Sequence, residues 1–223
     1  MKILITSNKK ILKYFVIFLV GALLIFIGYQ NLKEINKKTG EIKISEENPS
    51  WNTYTNYEYG FEIDFPADWK IYEDFENVSP IINIYIPNNN LKPPFDNFAD
   101  VNNVSIFPRG LQSEIIIGQF EESEIDVDFE YDEMINYLLE DNTVWATYIK
   151  PEDLGDPWES WGFIWTKTRI NNIEYKCLEN EVEVSLDECN PFEGDEFVRT
   201  GQVDSEIREI QEEIVKSFKV IEK

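Results

Sequence analysis

The chain contains no histidine. That absence removes the side chain that titrates nearest neutrality, the commonest zinc ligand, and any Ser-His or Cys-His nucleophile. Cysteine is scarce: Cys177 and Cys189 are the 2 in 223 residues, too few without histidine for an ordinary four-ligand zinc site. Positive charge is scarce too, with 20 Lys and Arg against 43 Asp and Glu, a net of −23. Residues 1–50 carry eight Lys and four Glu, a net of +4, which leaves −27 on residues 51–223. A body this acidic is repelled by polyanions, which excludes nucleic-acid binding and leaves cations, basic partners or neutral glycans. No internal repeat is visible.

Apolar residues are not lacking: 43% of the chain is hydrophobic and 14% aromatic, enough for a real core. Residues 11–29 (ILKYFVIFLVGALLIFIGY) form one apolar run interrupted by Lys13. Nineteen helical residues span about 28 Å, close to a bilayer core. Lys2, Lys9 and Lys10 precede the run and keep residues 1–10 inside, so the expectation is a transmembrane signal anchor with the C-terminal part exported. The competing reading is a cleaved signal peptide, but no A-x-A site and no lipobox cysteine follows the run. Residues 30–50 read as a polar stalk, and residues 51–223 as one acidic domain.

Within the domain, Phe61, Ile63 and Phe65 alternate with Glu62 and Asp64, the pattern of a half-buried strand stopped at Pro66. Further strands are expected over 69–72, 81–86, 101–107, 115–120, 144–149, 160–170 and 173–178, the last two joined by an Asn171-Asn172 hairpin turn. Phe129, Met134, Tyr137 and Leu138 stand at roughly helical spacing, which predicts a helix over 129–140. Ile207, Ile210, Ile214 and Val215 predict a second helix capped by Asp204 or Ser205, followed by a short strand over 217–221. The pattern is α+β: an antiparallel sheet with helices packed on its faces.

Two stretches carry a resemblance. Tyr57-Glu58-Tyr59-Gly60-Phe61-Glu62-Ile63-Asp64-Phe65-Pro66-Ala67-Asp68-Trp69 resembles the opening strand and turn of PsbP-like domains, and Ile214-Val215-Lys216-Ser217-Phe218-Lys219-Val220 resembles that family's closing helix and S-F-K strand. The resemblance implies an α/β/α sandwich around an antiparallel sheet, in a family made mostly of non-enzymatic binding proteins. It carries over no functional residue, because the matching positions are structural ones.

The candidate sites are few. Cys177 and Cys189 pair as a disulfide in an exported domain, or remain two free thiols. The acidic run 121–133 places Asp126, Asp128, Glu130 and Asp132 in alternation, so an extended backbone presents four carboxylates to a hard cation such as Ca²⁺. It is not an EF-hand, since Tyr131 and Tyr137 stand where glycine and glutamate belong; the plain alternative is a solvated acidic edge. Trp161, Phe163 and Trp165, with Trp158 before them, are either a sugar-stacking face or a core face. Carboxylate pairs suited to glycoside hydrolysis arise by chance among 43 acids. Asn77 and Asn103 head Asn-x-Ser sequons, which read as surface markers.

The resulting expectation is a non-enzymatic binding or structural module of the cell envelope, anchored as a single-pass membrane protein with its domain outside. Its partners would be the membrane, through the N-terminal helix, and a basic or glycan component of the envelope. The alternative is a Ca²⁺-binding module using 121–133, and the third reading a small carboxylate-based hydrolase.

Overall fold

Strict alternation survives best in the strand that the sequence marks most clearly. β3 (Phe61–Pro66) buries Phe61, Ile63 and Phe65 and leaves Glu62 and Asp64 half-exposed. It belongs to a computed structural model that describes residues 40–75, 80–87, 101–110, 117–152 and 162–221. The preceding strands are β1 (Gly40–Ile44) and β2 (Trp51–Asn56). After β3 come β4 (Lys70–Asp74), β5 (Ile81–Tyr85), β6 (Asn103–Phe107), β7 (Phe120–Glu122), β8 (Tyr131–Leu138), β9 (Val144–Pro151) and β10 (Phe163–Lys167). β11 (Asn171–Glu179), β12 (Val182–Val184), β13 (Glu196–Gln202), helix α1 (Ser205–Lys216) and β14 (Lys219–Val220) complete the order.

The strands form three sheets, ordered β1-β2-β3-β14, β4-β5-β6-β10-β9-β8-β7 and β12-β11-β13. Pairing is antiparallel throughout the described residues. The main core lies between the four-stranded sheet, helix α1 and one face of the seven-stranded sheet. It joins Tyr54, Phe61 and Ile63 to Ile82, Ile106, Ile149 and Ile164, and to Ile214, Val215 and Phe218. The two ends of the domain meet there. β14 pairs with β3, Phe218 stacks on Phe61 at 5.3 Å, and Ser217 Oγ accepts the Asp64 N–H at 2.8 Å. Gly40 opens β1 because the Tyr54 ring passes so close that a Cβ would lie 2.1 Å from it.

The expected α+β sandwich with helices on the sheet faces is not found. Among the described residues α1 is the single α-helix, and most of the structure is antiparallel sheet covered by sheet. The decisive misreading is 129–140, which is β8 rather than a helix. Its pairing with β9 slips between Tyr131 and Glu133 and again between Tyr137 and Leu138. The first slip adds a residue to β8 and the second adds one to β9. Both faces of β8 are covered, Met134 packing in the main core and Ile135 and Tyr137 in a second cluster. Buried positions three apart therefore come from opposite faces of a strand and imitate a helical period. The Asn171-Asn172 hairpin also fails as drawn. Asn172 does turn, with φ 53°, but β10 pairs with β6 and β9 whereas β11 pairs with β12 and β13.

The transmembrane signal anchor, and the single-pass membrane localisation built on it, are not supported. Among the described residues no helix is long and apolar enough to cross a membrane. Helix α1 has 12 residues and bears Glu206, Arg208, Glu209, Glu212, Glu213 and Lys216. The apolar run 11–29 lies outside the described residues. Part of the stretch read as stalk is β1, paired along its length with β2.

Candidate interaction surface

Helix α1 is seated on polar groups as well as apolar ones. Asp204 caps it, accepting from the Glu206 and Ile207 N–H groups at 3.0 and 3.3 Å. Ile214 and Val215 enter the core as expected, but Arg208 and Gln211 are buried with them. Gln211 Nε2 donates to the Asn103 and Lys167 carbonyls at 3.1 and 2.8 Å, and Gln211 Oε1 accepts from Thr168 Oγ1 at 2.6 Å. Arg208 donates through Nη1 to Thr166 Oγ1 at 2.6 Å and through Nη2 to Thr147 Oγ1. Burial lowers the Arg208 pKa from its ordinary value to about 10 against the opposing pull of Glu212. These contacts fix the helix on the sheet and are closed to solvent, so they are structural.

The exposed chemistry lies at one edge of the seven-stranded sheet, away from the middle strands that seat the helix. β7 is its edge strand, and Phe120 stands there 62% exposed. Facing it is the segment that follows the Cys177–Cys189 disulfide, whose Cα atoms are 5.8 Å apart. That segment turns at Pro191, presents Phe192 at 69% exposure, and reverses at Gly194 with φ 108°, a conformation that favours glycine. Asp195 anchors the reversal by accepting the Asn190 N–H at 2.7 Å. Between residues 117–120 and residues 191–197 runs an open groove of about 520 Å³.

A ladder of rings backs the groove. Phe120 lies 6.4 Å from Tyr137, and Tyr137 lies 6.0 Å from Trp145. The Arg199 guanidinium sits between Trp145 at 5.2 Å and Phe197 at 5.0 Å, and Phe197 lies 5.6 Å from Tyr175. Burial lowers the Arg199 pKa from its ordinary value, with the nearby Tyr175 opposing the shift. Gly118 lets the chain cross this cation: a Cβ there would lie 2.2 Å from Arg199 Nη1, and its φ is 135°. Gln119 Nε2 closes one end, donating to Glu196 Oε1 at 2.5 Å.

The other candidates fall differently. The disulfide is formed, and it consumes both thiols. Asp126, Asp128, Glu130 and Asp132 do lie on one exposed side, while Ile125, Val127, Phe129 and Tyr131 pack inward against the core. They do not converge, and Asp132 is paired with Lys150 at 2.6 Å. Among the described residues the one group of three close metal-ligating atoms is Cys177, Cys189 and Asp195, whose sulfurs are bonded to each other. Phe163 is buried and Trp165 half-buried under Lys167 Nζ at 5.5 Å, while Trp158 and Trp161 lie outside the described residues. Asn103 is no surface marker. It is 2% exposed, and its amide donates to Asn83 Oδ1 at 3.1 Å and Ser105 Oγ at 2.7 Å; Asn77 lies outside the described residues.

Sequence reasoning missed Arg208, Gln211, Phe120 and Phe192. The first two had a signal, two polar residues at Arg208 and Gln211 in helical register with the buried Val215. Phe192 had a weaker one, an aromatic bracketed by proline and glycine among acids. No family model matches the chain, and neither a curated protein nor a solved structure matches it at a significant level.

Proposed function

We propose that this chain is a non-enzymatic binding module that takes a protein partner in the groove beside its disulfide. The observation that carries the reading is the pair Phe120 and Phe192, 62% and 69% exposed on opposite rims of a groove of about 520 Å³. Large aromatics held in water beside a concave surface are a cost to an isolated domain and an anchor to a complex. The rigid backing by Tyr137, Trp145 and Arg199 reduces the ordering that binding would otherwise require. Catalysis has little to draw on, since the chain lacks histidine and both thiols are bonded.

The test is cross-linking with mass spectrometry of the tagged full chain in extracts of its own source cells. Partner peptides should map to residues 117–122 and 190–197, and the Phe120→Ser/Phe192→Ser double variant should lose them. Partners retained by that variant and cross-linked elsewhere would refute the reading.

A further inference from the structure

We infer that the groove takes an extended basic segment of a protein partner, one that alternates Lys or Arg with an aliphatic or aromatic anchor; the inference rests on the reading of the groove as a binding site. The apolar part of the match is set by Phe120 and Phe192. The charged part is set by what surrounds them. Residues 117–122 and 190–197 contain Glu121, Glu122, Glu193, Asp195 and Glu196, and neither stretch has a Lys or Arg.

Two of these acids are engaged within the domain, Asp195 with the Asn190 N–H and Glu196 with Gln119. Glu121, Glu122 and Glu193 are exposed, and none of the three joins an ion pair among the described residues. Arg199, held between the Trp145 and Phe197 rings behind the groove, offsets only part of the charge of these five acids.

The spacing fits a strand-like ligand. Phe120 and Glu122 lie two residues apart on one side of β7, about 7 Å by the rise of a strand, and Phe192 and Glu193 are adjacent on the facing rim. A peptide that sets an apolar side chain between the rings therefore brings its neighbours toward carboxylates on both sides. An acidic or anionic ligand would meet net repulsion there.

The experiment uses the full chain and three labelled synthetic dodecapeptides of equal length, followed by fluorescence anisotropy. One interleaves Lys with Leu and Phe, one replaces each Lys by Glu, and one replaces each Leu and Phe by Ser. The Lys–apolar peptide should bind at least about tenfold more tightly than either control, and more weakly as salt rises. Phe120→Ser and Phe192→Ser should each weaken it about tenfold, with unchanged thermal unfolding because both side chains are exposed. Equal binding of the Glu peptide that still falls with Phe192→Ser would overturn the basic-partner inference and leave the groove reading standing. Binding indifferent to both Phe substitutions would overturn the groove reading as well. A fourth arm with a soluble chito-oligosaccharide decides the partner class: Phe192-dependent sugar binding with none of the peptides would overturn a protein partner.

Discussion

Arg208 is a charge placed where charge is expensive, and the structure says which substitution there should hurt. Its side chain is 9% exposed, lies 3.6 Å through Nε from Glu212 Oε1, and donates to Thr166 and Thr147. Lowering of its pKa from the ordinary guanidinium range to about 10 corresponds to roughly 3 kcal/mol of penalty on the charged form. The penalty is present below pH 10 and is relieved as pH rises above it, where the folded state releases the proton first.

Arg208→Met removes that penalty along with two charge-assisted hydrogen bonds of comparable total worth, so the net change should lie within about 1 kcal/mol. No donor is orphaned: Thr147 Oγ1 still donates to Asn136 Oδ1 at 2.7 Å, and Thr166 Oγ1 still accepts the Thr147 N–H at 3.1 Å. Thr147→Val is the damaging change. It keeps the shape but strips an acceptor from a buried guanidinium and a donor from Asn136, costing about 2–4 kcal/mol. In the Arg208→Met background the same substitution loses the Asn136 bond alone, about 1 kcal/mol. Urea unfolding of the four proteins measures the coupling. If Thr147→Val costs the same with and without Arg208, the guanidinium does not depend on Thr147 and the argument is wrong.

Two other predictions follow from the same physics. Reduction, or the Cys177→Ser/Cys189→Ser pair, opens a loop with a sequence separation of 12 and should lower stability by about 3 kcal/mol in chemical denaturation; a shift below 1 kcal/mol would mean that the loop is held by something else. Tyr54 donates to Glu73 and accepts from Asn56 Nδ2 at 2.8 Å, and burial, aided by Glu73, pushes its phenol well above the usual 10. The unfolded chain releases that proton first, so stability should fall by about 1.4 kcal/mol per pH unit above pH 10, and Tyr54→Phe should flatten the slope. An identical alkaline slope in the variant would place the effect in other groups.

What could be read from the sequence depended on how local its cause was. β3 was legible because its alternation is uninterrupted and Pro66 marks its end. The closing helix was legible through Asp204 and the Ile stripe. β8 was not, because both its faces are covered, by the main core at Met134 and by a second cluster at Ile135 and Tyr137, which leaves no alternation and a false helical period. β1 was lost for a different reason: it is an edge strand whose Ile42 and Ile44 are 54% and 71% exposed, so it lacks the buried face by which strands announce themselves. The groove is the extreme case. Gln119 and Glu196 close it across a sequence separation of 77, a distance over which no periodicity speaks. The disulfide, set by the chain's two cysteines alone, was the part of this region open to sequence reasoning.

That disulfide and the groove answer one another physically. The residues between the cysteines include Glu179, Glu181, Glu183, Asp187 and Glu188 and no Lys or Arg, and all five acids are exposed. The apolar residues available to them do not form a core: Val182 and Leu186 are 65% and 49% exposed, and the turn Leu186–Glu188 buries nothing. Such a loop repels itself and gains little from burial, so beyond the short β11–β12 ladder little holds it. Cys177, fully buried in β11 opposite Phe197, supplies a covalent tie and fixes where residues 189–197 leave the sheet. Phe192 follows three residues after Cys189. An ordinary fold would order this segment by turning that ring inward. The cross-link orders it with the ring still in solvent, which is the state a binding anchor needs before its partner arrives.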